Sequence, residues 1–532
     1  MSSAASGSGT LAGRLRQAVA DRVRIDTRTL AVFRILAGLL IVADLLLRSR
    51  NFSFYYTNDG AVPQSLAQAM SSEGAISIYH YTTDPTVIAG LFVLQGLIAL
   101  QLIVGYKTRI ATILSFLLVV SLDHHNPLVL SYADTLFRLL LFWAIFLPLG
   151  ERWSIDAVHA DRQPREGIAS VASALILAQM VVMYVVNGYH KAQDELWTSG
   201  EATPLIMGLH DTTFFLAPYL REFQTLLQIG GLTWFYMLVF SWLLFVLRGR
   251  LRMALVAMFV ASHASFIVTV RIGAFPYVAI AGVMLFLQAQ FWDDLKAIAR
   301  YLELDLDRFE ARRERLVRFA RRVPDVRIGG ERQRRAREIG YNVAIGVVVL
   351  SIVLFVALST IPLGGVADEE TVVEEQIEDR AQQLSIDQPD WSVFAPTPRT
   401  TDSYYIFPAQ TADGEVVEVY NGQASVSYDR PYEGSQLQEQ YGSYRERFYM
   451  NSVRRGGIQG TNDADEYLAE YICASWEEEH GTELTHVNMY QVTESVDMDT
   501  VSDPEDRDRD VRPVSAHGCG DNEPTEIQPP DF

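Results

Sequence analysis

A chain of 532 residues that is 49% hydrophobic has room for several soluble domains, but its apolar residues are clumped into long runs. Hydrocarbon cannot solvate backbone amides, so runs near 20 residues read as membrane-spanning helices, and a wholly soluble chain is excluded. The net charge of −20 hides two opposite parts: residues 366–532 hold 37 acidic residues against 10 arginines, a charge of −27, and residues 1–365 carry +7. An acidic part of this kind repels nucleic acid, which is not expected as a partner. Such a hydrated surface suits a salt-loving organism. Together with the near absence of lysine (Lys107, Lys191 and Lys296 alone), it points to a haloarchaeal source.

In chain order, residues 1–29 form a basic arm with Arg14, Arg16, Arg22, Arg24 and Arg28 and no cleavable signal pattern. Candidate spans follow at 30–47, 86–104, 110–122, 135–149, 168–186, 227–246, 253–270 and 274–291, giving an eight-helix membrane domain over 30–292. A basic loop, 293–342, leads to a ninth helix over 343–363. Cytoplasmic loops carry the excess of Arg and Lys, and the arm, Lys107 with Arg109, Arg152 to Arg165, Arg248 to Arg252 and the 293–342 loop all qualify. The expected protein is therefore a multi-pass cell-membrane protein with a cytoplasmic N-terminus and residues 364 onward outside.

Beyond the ninth helix the sequence predicts a charged linker helix over 367–383, then WSVFAPTP at 391–398, which cannot be long regular structure. Strands at 403–409 and 415–420 meet around Asp413-Gly414 as a hairpin. Helical patterns lie at 434–453 and 464–478, with a further strand at 484–492. The fold class is thus an α-helical polytopic membrane bundle of about nine helices with an acidic α+β domain over 364–500, and 501–532 is expected to be a disordered acidic tail. Cys473 and Cys519 are expected to pair on an oxidising outer face, with two free thiols as the alternative. No metal-ligand spacing accompanies them, and no metal is expected.

Ionisable groups at membrane depth are costly unless paired, which singles out Arg34, Asp44, Asp134, Arg138, His263 and Arg271; packing within the bundle is the ordinary explanation. Residues 187–203, NGYHKAQDELWTSGEAT, say more. A chain that writes nearly every cation as Arg places Lys191 here, beside His190 and near Trp197. Arginine keeps its proton whereas a desolvated lysine can release it, so a base at this position has to be lysine. The alternative is a snorkelling lysine with an anchoring tryptophan. Asp123, His124, His125 and Asn126 form a second polar cluster at the same expected face.

These residues also carry a likeness. RILAGLLIVAD (34–44), FYYTNDGAVP (54–63), the long HHNPLVLSYADTLFR segment from His124, NGYHKAQDELWTSG (187–200), the segment from His263 to Phe275, and WSVFAPTP resemble the HTTM (horizontally transferred transmembrane) family, related to vitamin K-dependent gamma-carboxylases. The resemblance implies that Lys191 is the base that deprotonates a hydroquinone, with His125 and His190 assisting. Trp197, Arg138, Asp134, His263 and Arg34 would hold the cofactor. A menaquinol-type quinol, oxygen and carbon dioxide are the implied reactants, and a protein or lipid on the outer face the implied substrate. Two departures stand out: His190 replaces a second lysine, and the spacing from Lys191 to Trp197 is one residue longer. The competing expectation is a non-enzymatic scaffold that presents the acidic domain to an envelope partner.

Overall fold

The structure, a computed structural model, describes residues 11–72, 74–304, 306–325, 331–360, 379–384, 386–423, 425–432 and 434–529. An N-terminal helix, α1 (Leu11–Val23), precedes the bundle. Helices then stand at all nine apolar runs: α2 (Thr27–Arg48), α3 (Pro85–Val104), α4 (Thr108–His125), α5 (Tyr132–Ala144), α6 (Val171–Lys191), α7 (Gln224–Val239), α8 (Gly249–Ile267) and α9 (Phe275–Val283), with α12 (Glu331–Thr360) after two further helices, α10 (Ala289–Tyr301) and α11 (Leu306–Ala320).

Local chemistry sets several of these ends. Asp84 caps α3 by accepting from Thr86 N, Pro85 starts it, and Gly105 closes it in the left-handed region at φ 69°. Gly105 is also a close approach, since a Cβ there would stand 2.4 Å from Ser154 Cβ. Ser131 and Asp134 form a reciprocal capping box on α5.

Four helical stretches among the described residues are long and apolar enough to cross a membrane: 27–56, 85–104, 171–191 and 249–267. A fifth results if Phe275–Phe286 and Ala289–Tyr301, bent by 101°, count as one span. These four or five are the part of the expected nine that length and composition bear out. Helices α4, α5 and α7 have 18, 13 and 16 residues, which at about 1.5 Å per residue falls short of a ~30 Å hydrocarbon layer. Of these, α5 is enclosed by protein: Leu136, Leu139 and Leu140 are buried in one core with Ile176 and Met180 of α6 and Ala279 of α9. Helix α9 packs against α2, α5, α6 and α8 at the centre. Gly282 permits this, because a Cβ there would lie 2.4 Å from Met180 Sδ.

The expected loop 293–342 is largely helical, formed by α10, α11 and the start of α12. Within α12 the apolar part is Ile339–Ile352. Residues 361–363 of the expected ninth span and most of the linker helix at 367–383 lie outside the described residues.

The C-terminal region is α+β as the sequence predicts. Strands β1 (Thr401–Ile406), β2 (Pro408–Thr411), β3 (Val416–Glu418), β4 (Leu484–Ser495) and β5 (Arg509–Gly518) make one antiparallel sheet. β1 and β2 pair with successive halves of β4 on one side, β3 extends from β2, and β5 covers the other side of β4. The hairpin turns at Gly414, φ 88°. Helices α13 (Tyr444–Gln459) and α14 (Ala464–His480) complete the domain. The expected disordered tail is corrected over 509–518: β5 pairs from Glu494↔Arg509 to His486↔Gly518, and the Cys473–Cys519 disulfide ties its end to α14. Ladder hydrogen bonds and the cross-link outweigh the high charge that suggested disorder.

Candidate functional site

Lys191 is the last residue of α6 and is 2% exposed. Tyr184 and Asn187 precede it at seven and four positions, so all three share one helix face. That face meets the WSVF segment. Lys191 Nζ donates to Val393 O at 2.7 Å and Phe394 O at 3.1 Å, and lies 3.5 Å from the Trp197 ring centroid. Asn187 Nδ2 donates to Trp391 O (2.7 Å) and Val393 O (3.2 Å), and Trp197 Nε1 donates to Phe394 O (3.0 Å). Trp391 and Phe394 both have left-handed backbone, φ 47° and 50°, a conformation a bulky residue holds only when its surroundings fix it. Residues 391–394 thus form a strap over the end of α6. Among the described residues Lys191 has no acidic partner.

Beneath the strap lies a cavity of about 350 Å³. Lys191, Asn187 and Trp197 border it together with Trp234, Phe266, Phe275 and Trp391. Seven aromatic rings stand among the aliphatic side chains of its wall, and Thr203, Thr233, Ser262, Ser265 and Thr269 add hydroxyls to the polar groups under the strap, a chemistry that fits a flat aromatic ring bearing a hydroxyl. Tyr184 also lines it, and its hydroxyl is hydrogen-bonded at 2.9 Å to Nε2 of the buried His263.

A second polar cluster is built quite differently. Arg48 reaches Asp44 and Asp123, each at 2.7 Å, and Asp134 at 3.5 Å. Arg138 reaches Asp123 at 2.7 Å. From α13, Arg445 inserts between the helix ends and pairs with Asp44 and, at 2.9 Å, with Asp134. It also donates to Val129 O at 3.1 Å. Burial and the nearby Arg48 oppose the Arg445 charge, yet Asp134 and Asp44 outweigh them and hold its pKa well above the ordinary arginine range. Three arginines face three aspartates, so the cluster is neutral as a set.

The expected site residues accordingly divide. Lys191 and Trp197 border the cavity, and His263 stands behind Tyr184. Asp134 and Arg138 belong to the ion cluster. His125 is buried with its ring stacked on Tyr79 (5.0 Å) and Tyr56 (5.8 Å), away from the cavity wall. His190 is half-buried against Tyr189 and points elsewhere. Arg34 lies near the other end of α2, where its guanidinium donates to the carbonyls of Ile103, Leu149, Arg152 and Trp153. It organises loop ends there. A single site holding all eight residues is therefore not what the fold builds: α4 and α5 turn His125 and Arg138 toward α2 and Arg445. The sequence reading missed Tyr184, Asn187, Arg48, Arg445 and the strap carbonyls. The i,i+4 step from Asp44 to Arg48 was a usable signal; backbone acceptors leave none.

Buried charges on helices long enough to span a bilayer, around an aromatic cavity, define a multi-pass membrane protein. The HTTM domain model matches residues 23–292, about half of the chain, and this protein belongs to the HTTM domain family. Neither a curated protein nor a solved structure matches the chain.

Proposed function

We propose that this protein is a carboxylase-like membrane enzyme that acts on a menaquinol-type hydroquinone, with Lys191 as the base. The observation that carries the reading is a buried amine, without a carboxylate partner among the described residues, at the strap end of a cavity walled by aromatic and aliphatic side chains. A hydroxyl entering that end would replace Val393 O or Phe394 O as the partner of Nζ and give its proton to the neutral amine. Trp197 and Asn187 keep the amine aimed at the cavity, and the aromatic walls exclude water. The hydroquinone, with oxygen, would supply the strong base that carboxylation by carbon dioxide requires. Tyr184 lines the cavity wall, and His263 behind it holds the Tyr184 hydroxyl. His125 and His190 do not line the cavity and take no part in this step.

The C-terminal domain is assigned to the extracytoplasmic side and the N-terminal arm to the cytoplasm. The arginine-rich loops and the Cys473–Cys519 disulfide both support this. Protease added to intact cells should then remove the domain and spare the arm. The second reading, a scaffold presenting the acidic domain to an envelope partner, draws on the strap, which already satisfies the Lys191 ammonium. Hydroquinone-dependent oxygen consumption in purified protein separates the two. Lys191→Arg keeps the charge but cannot accept a proton, so the rate should fall by about 100-fold or more. Full activity in that variant would remove the base assignment.

A further inference from the structure

At the end of α2 remote from Arg48, two helices leave apolar faces open. In α1, Leu11, Leu15 and Val19 are exposed at four-residue steps, with Arg14 and Arg16 on either side of the stripe. In α10, Leu295, Ile298 and Leu302, just past its end, form a similar exposed stripe, with Lys296 beside it. Neither helix has a buried residue.

Both helices are nonetheless fixed to the bundle by their polar sides. Trp292 Nε1 donates to Thr29 Oγ1 at 3.0 Å, Asp293 pairs with Arg28 at 3.7 Å, and Asp294 pairs with Arg250 at 2.8 Å. Arg252 donates to Arg22 O at 3.1 Å and Gln288 to Asp21 O at 3.3 Å, which ties α1 to the start of α8 and the α9–α10 turn. The open stripes are thus held in place rather than free to fold inward.

Geometry and charge decide what covers them. The 101° bend after Phe286 turns α10 away from the direction of the apolar helix before it, so α10 lies across the end of the bundle. A helix so placed, with one apolar stripe and flanking cations, rests in a membrane interface rather than spanning it. Residues 11–28 hold five arginines against Asp21 and Asp26, a charge of +3. We propose that α1 and α10 form an interfacial collar on the leaflet opposite the C-terminal domain, burying their stripes among acyl chains while Arg14, Arg16 and Lys296 bind anionic lipid headgroups. This stands apart from the catalytic reading and survives its failure.

The test is hydrogen exchange of the full chain in nanodiscs of phosphatidylcholine alone and of phosphatidylcholine with phosphatidylglycerol. Amides of 11–23 and 289–301 should exchange about tenfold more slowly in the anionic discs, and high salt should remove the difference. Arg14→Gln with Arg16→Gln should abolish the anionic gain over 11–23, and Leu15→Ser should cost protection there in both lipids. Exchange over Ala464–His480 serves as the folding control. Equal exchange in the two lipids overturns the proposal. So does protection that appears in detergent and rises with protein concentration, because a second copy would then be the occupant.

Discussion

The two buried polar clusters of this protein use charge in opposite ways. Around Arg48, the three buried arginines Arg48, Arg138 and Arg445 each meet a carboxylate, Arg445 being supplied by the C-terminal domain. At Lys191 a single amine is buried against carbonyls, an indole and a largely apolar cavity, with no carboxylate partner among the described residues. A paired cluster fixes geometry, since removing any member strands another charge. A lone amine held by neutral acceptors is free to change its proton content without breaking an ion pair. The difference separates the part that fastens two domains from the part suited to chemistry.

The largest effect should come from breaking the fastening. Arg445→Ala leaves Asp44 and Asp134 short of a partner in a buried site, and thermal unfolding in nanodiscs should show a loss of about 3–5 kcal/mol. An unchanged transition would mean that the cluster is hydrated and the domains are not coupled through it. The Cys473–Cys519 disulfide closes a separation of 46 residues within the C-terminal domain. Cys473→Ser with Cys519→Ser should cost that domain about 2–4 kcal/mol, read by exchange of the β4–β5 amides. If α2 and α5 loosened equally, the disulfide would be acting across both regions.

Smaller effects are expected at the strap. Asn187→Leu deprives Trp391 O of its donor and should destabilise by about 1–3 kcal/mol. Lys191→Met should change stability by no more than about 1 kcal/mol, because Val393 O keeps the Asn187 amide, Phe394 O keeps the Trp197 indole, and no carboxylate is stranded. A loss as large as that of Arg445→Ala would erase the distinction between the clusters.

How much of this the sequence reveals depends on the range of the interactions. Helix positions, the α+β character of the C-terminal region, the cystine and Lys191 with Trp197 all follow from local pattern or from family likeness. Arg445 pairs with Asp134 from 311 positions away, and nothing in either local sequence announces the other. The strap uses carbonyls, which every residue has. Four or five spans are plain from length and composition, whereas an apolar run of 13 to 18 residues looks alike whether lipid or protein covers it, as protein covers α5. β5 was missed because its charges, Arg509, Asp510 and Arg512, are those of a solvated edge.

The central claim is that the cavity under residues 391–394 binds a hydroquinone head against Lys191. Photolabelling of the full chain in nanodiscs with a photoreactive naphthoquinone, followed by peptide mapping, tests it most directly. The account predicts saturable labelling on α6 near Tyr184 to Lys191 and on Trp391 to Phe394, displaced by excess unlabelled naphthoquinone. Labelling spread along the lipid-exposed faces of α3 and α7, without competition, would contradict it.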